Sequence, residues 1–107
     1  MEKIIKYCDE IDLIMERFGR SCVLFSNDFA YRYDCSMCIF QIGELASKLS
    51  EDFRDKYNGV PWNKIRGIRN IFAHDYESIN NDEIWATIET KVPELKKYCE
   101  YILKDMT

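Results

Sequence analysis

The chain has 107 residues, 47% of them hydrophobic, and sets 15 Lys or Arg against 19 Asp or Glu for a formal net charge of -4. That length supports one domain, residues 1–107, with one modest core, and leaves so much surface uncovered that pairing with a second subunit is a ready way to bury more. The first 18 residues mix acids and bases through their apolar positions, which excludes a signal peptide or membrane span and predicts a cytoplasmic protein with no membrane partner; the net acidity excludes a generally cationic nucleic-acid coat, and no DNA partner is expected.

Residues 2–18 place Ile4, Cys8, Ile11, Met15 and Phe18 at spacings of three or four, the pattern of an amphipathic helix, and Gly19 offers its stop. Ser26 or Asn27 is the expected cap of a longer second helix reaching about Leu49. Its inward stripe is Cys35, Cys38, Ile42, Leu45 and Leu49, and Phe29, Tyr33, Met37 and Phe40 carry apolar surface round a second side. Ser50 caps a short helical turn, Asn58-Gly59-Val60-Pro61 breaks it, and a third long helix runs from about Pro61 to Ala73 on Trp62, Ile65, Ile68 and Phe72. Asn80 and Glu83 resemble a capping box for a last helix through Ile102, which Pro93 should kink or divide. The predicted fold is all-α: an up-down bundle of four main helices plus a short one.

Five cysteines, at 8, 22, 35, 38 and 99, are an odd number without regular spacing, so free and mostly buried thiols are expected rather than a disulfide framework. Cys35 and Cys38 lack a second pair or a nearby histidine, and no metal or cofactor is expected. Charge is unevenly placed. Between Arg54 and His74 stand Arg54, Lys56, Lys64, Arg66 and Arg69 with the single acid Asp55, a local balance of +4 that leaves -8 for the rest. Lys64 and Arg66 are therefore candidate phosphate or RNA contacts.

His74 is the only histidine, and histidine is the side chain whose unperturbed pKa lets it take and give protons near neutrality. Metal-free RNA cleavage needs such a group for the 2'-hydroxyl and the leaving 5'-oxygen, and a fixed cation for charge growing on the phosphate. Arg69 suits the second task through its planar fork. On a straight helix, however, Arg69 and His74 lie roughly 140° apart at about 100° per residue. Either the helix ends before His74, or a second subunit completes the site. Asn70 falls on the face of His74 and can orient its ring; Glu44, in an otherwise apolar helix, is a candidate buried partner for an arginine. Trp62 and Trp85 read as core or subunit contacts. A non-catalytic helical module that binds a nucleotide or a protein partner is the alternative.

The segment Gly67-Ile68-Arg69-Asn70-Ile71-Phe72-Ala73-His74-Asp75-Tyr76 resembles the signature of the HepT-like toxins of the HEPN superfamily, Arg, four to six residues, His, any residue, Tyr. Gln41-Ile42-Gly43-Glu44, Val60-Pro61-Trp62, Ile84-Trp85 and Val92-Pro93-Glu94-Leu95 resemble further family landmarks in the right order. The resemblance implies a metal-independent endoribonuclease toxin, a homodimer whose cleft gathers motif residues from both subunits. It implies Arg69 and His74 as the catalytic pair, Asn70 and Tyr76 as supporting residues, and a minimal nucleotidyltransferase antitoxin as partner. Such an antitoxin adds AMP to the motif tyrosine, here Tyr76, and the added charge would block a phosphate site.

Overall fold

The structure, a computed structural model, describes residues 1–74 and 78–107, so Tyr76 lies outside the described residues. Among the described residues seven α-helices follow in order: α1 Glu2–Phe18, α2 Cys22–Asn27, α3 Phe29–Ser47, α4 Glu51–Lys56, α5 Trp62–His74, α6 Asn81–Ala86 and α7 Val92–Met106. The all-α reading holds, with α1, α3, α5 and α7 as the four long members. Among the described residues, no helix is long and apolar enough to cross a membrane.

The first helix is the one its periodicity predicts. Ile4, Cys8, Ile11 and Met15 are buried, and Gly19 ends the helix at φ +103°, a backbone region costly for any residue with a Cβ. The second expected helix is instead two. Ser21 caps α2, and Asp28, in extended conformation, breaks the chain before α3. The Asp28 carboxylate accepts hydrogen bonds from the backbone N–H of Ala30 and Tyr31 at 2.9 and 3.1 Å, satisfying two donors that a helix start leaves orphaned. A carboxylate meeting two amides outcompetes the single contact Ser26 or Asn27 would offer.

Tyr31 fills the corner this break creates. It is fully buried, stacks on Phe18, meets Phe25 edge-on, and donates its hydroxyl to the Gly19 carbonyl at 2.9 Å. Trp85 closes the cluster against Phe25. Trp62 is 3% exposed and donates its indole N–H to the Tyr57 carbonyl at 2.6 Å, so both tryptophans are core residues. Before Pro93 the helix widens into a π-type turn over Thr87–Lys91. Pro93 has no N–H and its ring presses on the carbonyl four residues back; the wider turn absorbs both defects, dividing the last helix into α6 and α7.

Helix α3 packs along both α1 and α5, and α7 packs on α1. Its buried line is Tyr31, Cys35, Cys38, Ile39, Ile42 and Ala46; Leu45 is half-buried and Leu49 lies past the helix end. The second apolar side of α3 is left open by this chain, with Phe29 65%, Tyr33 48% and Met37 56% exposed.

Four thiols sit inside the core. Burial above all pushes Cys8, Cys35 and Cys38 from an ordinary value of 9.0 up to about 12, and Cys99 to about 11. The folded chain keeps these protons through a range in which the unfolded chain has lost them, so stability falls as pH rises from about 9 toward 12, by at most about 1.4 kcal/mol per pH unit for each thiol. Two outcomes are expected. Alkaline titration followed by circular dichroism should show cooperative unfolding below pH 12, and a thiol reagent at pH 8 should label half-buried Cys22 first, reaching all five only in denaturant. Fast labelling of the native chain at several cysteines would contradict this packing.

Candidate active site

The site is organised by one close helix crossing. At Gly43 a Cβ would stand 3.1 Å from the Ile65 carbonyl and 3.3 Å from both the N and Cβ of Arg69. The missing side chain lets α5 lie directly on α3 at Arg69. The next residue, Glu44, then meets Arg69, its carboxylate oxygen accepting from the guanidinium Nε.

This pair is half-exposed, at 29% for the Glu44 side chain and 47% for that of Arg69. Ion pairs this accessible to water contribute about 0–1 kcal/mol to folding. Its consequence is therefore geometric. With Nε held from behind by Glu44, the two terminal nitrogens of Arg69 are the donors left to grip a phosphate. Glu44 is a partner of Arg69, though a half-buried one rather than the buried acid its apolar neighbours suggested.

Helix α5 continues unbroken through His74. That removes the first of the two alternatives, a helix that ends before His74. Arg69 lies beside α3, whereas His74 and Asn70 are exposed on the outer face. Asn70 and His74 share that face, and no hydrogen bond joins them among the described residues.

The two basic candidates separate. Arg66 is half-buried, with one terminal nitrogen 3.4 Å from the Asn63 side-chain oxygen and a buried Nε that has no hydrogen-bond partner. Lys64 points to the opposite side of α5. It borders a cavity of about 290 Å³ with Ile65, Ile68, Lys91 and Leu95, so one phosphate cannot be shared by Lys64 and Arg66. On the other flank, Tyr33, Met37, Phe40, Phe72 and Ala73 line an apolar hollow of about 370 Å³ that ends one residue short of His74.

The family model described as "Ribonuclease HepT-like" matches residues 4–102. The chain belongs to the HepT-like ribonuclease family. Membership gives the activity class, ribonuclease. Among curated relatives, "Putative RNase MJ1216" of Methanocaldococcus jannaschii is 32% identical across 96% of this chain and 84% of its own length. "Putative RNase MJ0125" of the same organism is 34% identical across 96% and 87%. "Probable ribonuclease HepT" of Thermococcus cleftensis is 27% identical across 59% and 57%. No solved structure matches the chain at a significant level.

Two parts of this HepT-like site escaped the sequence reading. Asn63, the neighbour of Arg66, carries no periodic or motif signal. The open side of α3 was visible as apolar residues at helical spacing, but spacing alone does not say which of two apolar sides the chain covers itself.

Proposed function

We propose that this HepT-like chain is a metal-independent endoribonuclease that folds as one helical domain and works as a homodimer, its cleft formed where the α5 helices of two protomers face each other. The observation that carries the reading is the unbroken course of α5 as far as His74 while Glu44 ties Arg69 toward α3. Within one chain the base and the cation diverge; across a two-fold axis, His74 of one protomer faces Arg69 of the other.

In such a cleft one His74 removes the proton from a ribose 2'-hydroxyl, and the freed oxygen attacks the adjacent phosphorus. Arg69 donates to the phosphate oxygens as negative charge accumulates there. The departing 5'-oxygen takes a proton from solvent, to which His74 releases the one it took, leaving a 2',3'-cyclic phosphate and a 5'-hydroxyl. Asn70 orients the imidazole. We assign Tyr76 to the substrate phosphate or a stacked base, and to control: AMP added there by a minimal nucleotidyltransferase antitoxin would fill the cleft and repel RNA. The chain is then the toxin of a toxin-antitoxin pair.

The test is to express the chain alone and follow growth and cleavage of total RNA in EDTA. Slowed growth, with cuts ending in cyclic phosphate, is expected. A folded protein that binds nucleotide or a nucleotidyltransferase tightly yet cuts no RNA pool would replace this reading with the non-catalytic binding module.

The subunit contact is assigned to the open face of α3. Phe29, Tyr33 and Met37 are exposed there beside the hollow that leads to His74, and small domains gain most from covering such surface. Met37→Glu should convert the dimer to a monomer in light scattering and remove RNA cleavage, with the helical circular dichroism unchanged. A Met37→Glu dimer of normal activity would place the contact elsewhere.

A further inference from the structure

Along the outer face of α5, Asn63, Arg66, Asn70 and His74 fall within a stripe about 80° wide. Arg66 and His74 are eight residues apart, about 12 Å along the axis at 1.5 Å per residue. A stacked strand advances about 3.4 Å per nucleotide, so this distance spans a few nucleotides. The stripe therefore offers donors to several successive phosphates on one side of His74, not to the reacting one alone.

Two features of the stripe have no use among the described residues. Arg66 makes no ion pair among the described residues, its Nε is buried without a partner, and its contact to Asn63 is at the long limit of a hydrogen bond. Arg69 and Arg20, by contrast, each have a carboxylate. Gly67 lies beside the stripe, and a Cβ built on it would meet nothing within 4 Å. Glycine inside a helix is destabilising relative to alanine. At Gly43 the close approach of α5 explains the missing side chain; at Gly67 nothing among the described residues does. The gap lies over bare helix backbone, next to a guanidinium for which the described residues supply no anion.

We infer that the outer face of α5 is an extended phosphate subsite: Arg66, steadied by Asn63, binds a phosphate a few nucleotides from the scissile one, and Gly67 lets the strand lie against the helix between them. The inference rests on the ribonuclease reading and adds the substrate class, a single-stranded RNA several nucleotides long. A straight track along one helix suits an unpaired strand, and in-line attack by a 2'-oxygen requires a backbone freed from the A-form helix.

The subsite is tested by binding and by cleavage. Fluorescence anisotropy with an uncleavable 2'-O-methyl 12-mer should show Arg66→Ala weakened about 10- to 100-fold, the worth of one charge-assisted contact. The log-log salt slope should fall by about 0.7, one phosphate on a single strand. Arg66→Ala should lose a similar factor in kcat/KM on a cleavable 12-mer and none on a dinucleotide, which has only the scissile phosphate. Gly67→Leu should raise Tm while weakening the 12-mer, a combination that a merely structural glycine does not give.

Wild-type salt slope and affinity in Arg66→Ala would overturn the subsite, whether or not the enzyme is active. So would equal losses on 12-mer and dinucleotide, or a Gly67→Leu that dissociates the dimer, which would put the gap at the subunit contact. Failure of the ribonuclease reading looks different: no cleavage of either substrate by wild type, with 12-mer binding still dependent on Arg66.

Discussion

Mixing two inactive variants is expected to restore activity. His74→Ala alone should lower kcat/KM on RNA by about 10²- to 10⁴-fold, the usual worth of general acid-base catalysis. Arg69→Ala should cost about 10²- to 10³-fold, as for other fixed donors to developing negative charge. His74 is exposed at the end of α5, so its loss should scarcely change Tm. When the two variants are co-expressed, half of a randomly assembled population pairs one of each. In that heterodimer one composite site lacks both groups, while the other keeps Arg69 from one chain and His74 from its partner. Purified heterodimers should recover activity to within a few-fold of wild type. If Arg69 and His74 of the same chain act together, both sites are dead and nothing is recovered; that result would sink the composite cleft. Arg69→Lys should remain nearly as poor as Arg69→Ala, because an ammonium keeps the charge but cannot be held from behind by Glu44 while presenting a fork to the phosphate.

What was legible in the sequence follows physical lines. Stripes with a single apolar side could be read directly: Ile4, Cys8, Ile11 and Met15 are buried together, because a helix wet on one side has one orientation that satisfies it. Helix α3 resisted the same treatment. It is apolar on two sides, so Tyr31, Ile39 and Ala46 went to the core while Phe29 and Met37 stayed outside, a choice set by which neighbours arrive. The break at Asp28 was missed because Ser26, Asn27 and Asp28 are all good caps; only the backbone shows which one meets two amides. At the site, spacing alone established that Arg69 and His74 diverge on a helix. It did not establish that the helix reaches His74, nor that Glu44 is near enough to hold Arg69, since that distance depends on a crossing between elements some twenty residues apart. Gly43 is the residue that sets it, and a lone glycine in a helix does not announce which neighbour approaches.

Gly43 also gives the sharpest test of whether Arg69 acts through its position. Gly43→Val adds atoms where even a Cβ would lie 3.1 Å from the Ile65 carbonyl and 3.3 Å from the Arg69 nitrogen. These neighbours are largely helix backbone, which cannot rotate aside as a flexible side chain can, so α5 itself must shift from α3. Overpacking of this kind typically costs about 1–3 kcal/mol. The gain in helix propensity on replacing glycine, below about 1 kcal/mol, does not offset it. Thermal unfolding should therefore occur at lower temperature, by roughly 4–8 °C per kcal/mol in a chain of this size. Activity should fall further than stability explains: below Tm the variant is folded, yet Arg69 has moved relative to Glu44 and to the cleft, and displacement by about 1 Å can cost about 10²-fold. Glu44→Gln provides the contrast, since it keeps the crossing and removes the charge holding Nε. Its Tm should stay near wild type, as expected for a half-exposed pair, while kcat falls. A Gly43→Val protein with wild-type kcat would show that Arg69 needs no such support, and the crossing of α3 and α5 would then be a matter of packing alone.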